Sequence, residues 1–354
     1  MKIVSFAIDS AIGPIRRLGL LIDGHQNGRI LDLTASYAAY LATTDEPTPN
    51  ELAALRTPPD MIGWLRGGAK SREAAEQAMR YATRRLVNDP APRGPNGANL
   101  VYAASEVQLL ATVPRPNTLR DFSIYEEHMT RSGRYTEKKP LWYTNPPYYK
   151  GNPETVVGAN APIPFPYYTE KLDVEIEIGI IIGKTGRNLT FEQARDHIAG
   201  YTIWLDPSCR DSHDREPFGP NKRKDWCTVL GPCLVTPDEI DEGNLRVRVS
   251  VDGETWFEGN TGHKRNFTPE QLVAYASDNE TLMPGDVLGT GTVGFGCSMD
   301  LHRWPQVGQK MTFEVEGIGT LAHEIVRGER IVEHVLGMKG LLKPPEKAGS
   351  SVGP

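Results

Sequence analysis

Cysteine is scarce in this 354-residue chain: there are four, Cys209, Cys227, Cys233 and Cys297, and none form a C-x-x-C pair. That spacing excludes a zinc-ribbon site and a disulfide framework, so the thiols read as reduced, packed residues of a reducing compartment. Long hydrophobic runs are missing as well. No stretch approaches the roughly 18 apolar residues that span a bilayer, and the opening MKIVSFAIDSAIGPIRR lacks a signal-peptide core. The expected location is therefore cytoplasmic, with no membrane partner. An excess of positive charge is absent too, since the net charge is −6 and the pI about 5.8, which argues against nucleic acid as a partner. No internal repeat is evident. What is present, 39% hydrophobic and 24% charged residues, is the composition of a globule with a core.

A chain of this length is expected to hold one large domain and a smaller one. The segment NDPAPRGPNGAN, residues 88–99, concentrates Pro, Gly and Asn and marks the boundary. The division read from it is a small N-terminal α+β domain over 1–100, a main domain over 101–342, and a disordered tail, 343–354. Residues 1 to about 40 read as short strands and turns, with a hairpin turn at HQNG, 25–28. Apolar residues at helical spacing predict helices over 49–55, 60–65 and 71–87.

The informative stretch is KLDVEIEIGIIIGKTGRNLTFEQARDHIAGYTIWLDPSCRD, 171–211. Leu172, Val174, Ile176 and Ile178 alternate with Asp173, Glu175, Glu177 and Gly179, which predicts a strand with one apolar face. Glu175 and Glu177 share the other face, their Cα atoms roughly 6.5 Å apart, close enough for two carboxylates to converge on one cation. An E-x-E pair is ordinarily a solvated strand edge. Here, however, a wholly acidic face behind an all-aliphatic one is poorly explained by solubility, because neighbouring like charges disfavour one another. Thr190 and Gln193 fit a capping box and predict a helix. A second strand, Gly200 to Leu205, then delivers Asp206, and Pro207 is expected to stop its pairing. Carboxylates from neighbouring strands suit a hard cation bound by oxygen: Mg²⁺, Mn²⁺ or Ca²⁺.

Other segments carry weaker signals. Asp121 and His128 stand seven residues apart in TLRDFSIYEEHMTRSGRY, where a lone His beside two Glu is most often a surface residue. The proline- and tyrosine-rich segment 140–166, with Tyr148 and Tyr149, suits an ordered loop lining a pocket. Lys222, Arg223 and Lys224 read as a solvated basic turn. Asp252-Gly253 predicts a hairpin, and Thr268, Pro269 and Gln271 open a helix. Gly289, Gly291, Gly294 and Gly296 have no helix after them to bind phosphate, so they are read as backbone that approaches a ligand closely, with Thr292 offering a hydroxyl.

Taken together, residues from about 118 to 330 resemble the fumarylacetoacetate hydrolase family. The resemblance is carried by D-F-x5-H at Asp121, Phe122 and His128, L-D-x-E-x-E at Leu172 to Glu177, and A-G-Y-T-x-x-x-D-x-S-x-R-D at Ala199 to Asp211. It continues in K-D-W at Lys224 to Trp226, G-P-x-x-V-T-P-D-E at Gly231 to Glu239, P-G-D-V-L-x-T-G-T at Pro284 to Thr292, and E-G-I-G-T-L at Glu316 to Leu321. It implies an α+β, mostly β catalytic domain built as a mixed β-sandwich roll, working as a homodimer on a small dicarbonyl or 2-oxo acid. It implies one divalent cation, Mg²⁺ foremost, held by Asp121, Glu175, Glu177 and Asp206. It makes His128 a general base, Asp300 its carboxylate partner, Arg210 and Lys224 the cations around a substrate oxyanion, and Thr292 a substrate contact. Tyr148 and His213 complete the substrate side, His213 standing where the family pattern has Gln. Asp300 stands where the pattern has Glu, one residue short in register.

Three functions compete on these residues. The first is a metal-dependent hydrolase that cleaves a carbon–carbon bond in an acylpyruvate or β-diketone, in the catabolism of an aromatic or related ring. The second keeps the enolate chemistry without the hydrolytic water, as a hydratase, isomerase or decarboxylase of a 2-oxo-enoate. The third is a metal-stabilised binding protein without catalysis.

Overall fold

The computed structural model describes residues 1–22, 28–131, 140–211 and 221–329. The positions of His213, of the tail 343–354 and of turn residues 25–27 lie outside the described residues. Two sheets share a core, which matches the expected α+β, mostly β roll. The larger sheet has 12 strands, and its main path places Lys2–Ile8 beside Thr228–Val235, followed by Ile198–Cys209, Leu172–Ile182, Val287–Gly289, Leu119–Phe122 and Tyr148–Gly151. The five-stranded sheet runs Glu254–Asn260, Arg246–Val251, Lys310–Val315, Gly319–Arg327 and Ile163–Phe165.

The strand Leu172–Ile182 shows why these layers form. Its residues Val174, Ile176, Ile178 and Ile180 face the smaller sheet and join Val249, Phe313 and Leu321 in one buried cluster. Ile181 points the other way, into a second cluster with Trp204, Leu230 and Leu234, covered by Trp64, Ala74 and Ala78 of the N-terminal helices. Ile3, Leu18 and Leu31 belong to that same cluster, so the N-terminal strands and the central strands share a sheet and a core. Among the described residues no helix is long and apolar enough to cross a membrane.

Local readings met different fates. Capping boxes at Thr190 and Thr268 open helices Phe191–Arg195 and Pro269–Ser277, and Asp252 and Gly253, both at positive φ, turn the hairpin. Two expectations are corrected. Residues 33–41 form a helix, Leu33–Leu41, because the Asp32 carboxylate accepts the Ala35 N–H at its start. Pro207 does not end its strand: pairing continues through Val174–Pro207 to Leu172–Cys209. Among the described residues the pairing on its other side ends at Leu205, and a residue without an N–H is tolerated beyond it.

Candidate active site

Three strands of the large sheet bring the acidic residues together. Glu175 and Glu177 project from the same face of Leu172–Ile182, and Asp206 lies directly across from Glu175 in the antiparallel register. Asp121 comes from Leu119–Phe122, on the far side of the short strand Val287–Gly289. The gap between is bridged by leaving out a side chain. A Cβ on Gly289 would meet Glu177 Oε2 at 2.7 Å and Asp121 Oδ1 at 3.0 Å. All four carboxylates are buried.

Of the four expected ligands, Asp121, Glu177 and Asp206 form one group whose oxygens lie within 4.8 Å of one another. Glu175 is turned to other partners. Its Oε1 meets Arg210 Nη2 at 2.5 Å, accepts the Thr292 hydroxyl at 2.7 Å and lies 3.2 Å from His128 Nε2. Its Oε2 accepts from Lys224 Nζ at 2.5 Å and from Ser208 at 3.3 Å. Burial opposes the charge on Glu175, but Arg210, Lys224 and His128 outweigh it and hold this carboxyl well below the usual range. Glu177 behaves in the opposite way: burial and the adjacent Asp121 push it well above the usual range. Burial also raises Asp121, against the pull of Lys224.

These are the marks of a site fitted to a divalent cation. Among the described residues Asp121 Oδ1 is buried with no hydrogen-bond partner, two neighbouring carboxyls are driven towards neutrality by burial and by nearby carboxylates, and the donors are all oxygen. Lys224 supplies part of that charge. Its ammonium donates to Asp206 and Glu175 and lies 3.9 Å from Asp121. Burial would lower the Lys224 pKa, but Glu175 and Asp121 more than offset this, and the group stays protonated.

His128 sits on the short helix Glu126–Arg131, its Nδ1 3.1 Å from Asp300 Oδ2, while its Nε2 faces Glu175. The Asp300 reading, drawn from a motif one residue short, thus places the carboxylate beside the imidazole. Thr292 and Tyr148 line the same cavity of about 190 Å³, together with Phe122, Met129 and Pro147. A larger cavity of about 430 Å³ lies among the N-terminal elements, where the charged pair Arg17–Asp32 is closed on itself at 2.6 Å.

The basic turn is a correction. Lys222 is exposed, but Arg223 and Lys224 are buried and both line the cavity. For Lys224 the reason is the acidic cluster opposite, which gives a buried cation its partners. Two further residues were not singled out for the site. Tyr149 donates its hydroxyl to Asp206 Oδ1 at 2.9 Å, and its ring lies 5.2 Å from the Lys224 ammonium. Asp173 is fully buried and pairs with Arg210 at 2.8 Å. Its signal was available in the alternation it shares with Glu175 and Glu177; nothing in the sequence distinguishes Tyr149 from Tyr148. Cys209 is packed as expected, and burial pushes its thiol up to about 12.

Comparison with known proteins follows the same lines. An oxaloacetate tautomerase of Xenopus laevis mitochondria is 31% identical over 232 residues, covering 64% of this chain and 70% of the relative. A mitochondrial oxaloacetate tautomerase of Bos taurus is 28% identical over 332 residues, 92% of each chain. Maleylpyruvate hydrolase from Sphingobium sp. SYK-6, solved with manganese(II) and pyruvate, shares the fold with a TM-score of 0.60 at 22% identity, over 93% of this chain and all of that one. Residues 117–326 match the description "Fumarylacetoacetate (FAA) hydrolase C-terminal", and the chain therefore belongs to the fumarylacetoacetate hydrolase family.

Proposed function

We propose that this protein is a divalent-metal-dependent hydrolase that cleaves a carbon–carbon bond in an acylpyruvate or related β-diketone acid. The observation that carries this reading is the buried His128–Asp300 pair, whose His128 lines the same cavity as Asp121 and Glu177. A cation held by Asp121, Glu177 and Asp206, and by Glu175 if its carboxylate turns, would supply Lewis-acid charge that favours the enolate of a 2-oxo acid. Mg²⁺, Mn²⁺ and Ca²⁺ all suit such donors.

The chain's own groups then have distinct tasks. Asp300 at Nδ1 orients the imidazole and favours the Nδ1–H tautomer, so that Nε2, which faces Glu175 Oε1 here, would take a proton from water once that carboxylate turns to the cation. The hydroxide so formed adds to the distal carbonyl carbon. Arg210 and Lys224, both held as cations, would offset the charge that develops on the carbonyl oxygen, a role worth about 3 to 4 kcal/mol for a well-placed donor. When the carbon–carbon bond breaks, its electron pair stays with the 2-oxo acid fragment as an enolate, which is then protonated. Tyr148, Phe122, Met129 and Pro147 form the less polar wall.

A second reading, keto–enol tautomerisation of oxaloacetate, is favoured by the activity named for the two relatives above. It uses the same His128 for proton transfer at carbon and needs no water. Purified protein supplied with Mn²⁺ decides between them. The hydrolase reading expects EDTA-sensitive loss of an acylpyruvate with release of a carboxylic acid, abolished in His128→Ala. Rapid interconversion of oxaloacetate forms with no acylpyruvate cleavage would support the tautomerase, and neither activity with tight ligand binding would support a non-catalytic binder.

A further inference from the structure

Asp173 is a fully buried carboxylate that does not line the substrate cavity, yet each of its oxygens holds a different part of the machinery. Its Oδ2 takes Nε and Nη2 of Arg210, both at 2.8 Å. Its Oδ1 accepts the backbone N–H of Ser298 at 2.6 Å. Ser298 opens the helix Ser298–Leu301, whose Asp300 lies 3.1 Å from His128 Nδ1. Both arms return to one atom, Glu175 Oε1, which Arg210 Nη2 reaches at 2.5 Å and His128 Nε2 at 3.2 Å. The contacts close a ring through Asp173, Arg210, Glu175, His128, Asp300 and Ser298.

We propose that Asp173 is a positioning residue that sets the Arg210 guanidinium and the His128–Asp300 pair in one register over Glu175. This rests on the hydrolytic reading above, in which the arginine and the imidazole act on the same carbonyl. Without the Asp173 charge, Glu175 is the carboxylate left to Arg210 among the described residues, and the guanidinium shifts towards it. Without the Oδ1 acceptor, the Ser298 N–H loses its anchor and the four-residue helix that carries Asp300 is released. A plain buried ion pair would account for the first contact; the second ties the same carboxylate to the other catalytic arm.

The test compares Asp173→Ala, Asp300→Asn and the double variant, all Mn²⁺-loaded and assayed on an acylpyruvate. Alanine removes both the charge facing Arg210 and the acceptor of the Ser298 N–H. Asp173→Ala is expected to lower kcat about 100-fold, the scale of a misplacement near 1 Å, with KM changed less than about threefold. The double variant is expected to lose less than the product of the two single losses, because the arm through Ser298 and Asp300 is shared while the arm through Arg210 is not. Fully multiplicative losses, or a loss carried by KM, would overturn the proposal. Asp173→Asn provides an independent check should Asp173→Ala fail to fold. Its amide keeps an oxygen for the Ser298 N–H and loses the charge opposite Arg210. It is expected to lower kcat at least about tenfold through the arginine arm, and full turnover would refute the proposal. If the native enzyme turns over no acylpyruvate, the hydrolytic reading falls, and the crystal structure of Asp173→Ala decides the positioning claim. There the His128–Asp300 contact opens if the claim is right and stays near 3.1 Å if it is wrong.

Discussion

At Glu177 two penalties meet, burial and the adjacent Asp121 carboxylate, and both favour the neutral acid over the anion. A divalent cation would remove both. Glu177→Gln keeps the shape and still accepts from the Gly291 N–H, but takes one charge from the three-carboxylate group. Calorimetric titration with Mn²⁺ is expected to show binding weakened at least about tenfold, and an unchanged Kd would count against this residue as a ligand. The convergence of these carboxyls was legible because period-two alternation puts Glu175 and Glu177 on one face and the next strand brings Asp206 opposite Glu175, although that strand runs on to Cys209. The different fates of the two glutamates were not legible. They depend on Arg210, Lys224 and His128, which reach Glu175 Oε1 and Oε2 from three other segments of the chain. The burial of Lys224 was hidden for a similar reason, since a run of three basic residues looks solvated until the acidic cluster opposite is known.

Among the elements, the strand Val287–Gly289 passes between the carboxylates of its two neighbours, and its last residue has no side chain to keep them apart. Gly289 is outside the left-handed region, so alanine there acts only through the space its Cβ occupies. Gly289→Ala is expected to weaken Mn²⁺ binding about tenfold or more while leaving the melting temperature of the metal-free protein within a few degrees, measured by calorimetry and thermal unfolding. The strand Gly319–Arg327 carries a different sensor. His323 donates its Nδ1–H to Ala161 O at 2.6 Å, and burial lowers its pKa from 6.5. The unfolded chain therefore takes up a proton as pH falls through 6.5, while the folded one resists it. Its stabilising contribution is complete above pH 6.5 and is lost as pH falls towards the folded value, at no more than about 1.4 kcal/mol per pH unit. Urea unfolding across that window is expected to show this slope reduced in His323→Gln. Elements with local chemistry, the capping boxes and the Asp252-Gly253 turn, could be read directly. The helix Leu33–Leu41 could not, because short apolar runs fit strand and helix alike and the Asp32 cap decides between them.

For the whole molecule, the composition break at residues 88–99 does not coincide with a break in the core. Lys2–Ile8 pairs with Thr228–Val235, and Ile3, Leu18 and Leu31 pack with Trp204, Leu230 and Leu234. Removal of residues 1–100 would expose that face of the central sheet, so the remainder is expected to be insoluble or to lose its cooperative transition in urea. A soluble fragment unfolding with its original midpoint would contradict this. The central claim concerns the cation and the 2-oxo acid chemistry around it. Its most direct test is anomalous diffraction from crystals soaked with Mn²⁺ and oxalate, a planar mimic of an enolate. The account predicts one manganese peak about 2.0 to 2.3 Å from oxygens of Asp121, Glu177 and Asp206, with oxalate facing His128. No peak at those three carboxylates, or oxalate bound away from His128, would contradict it.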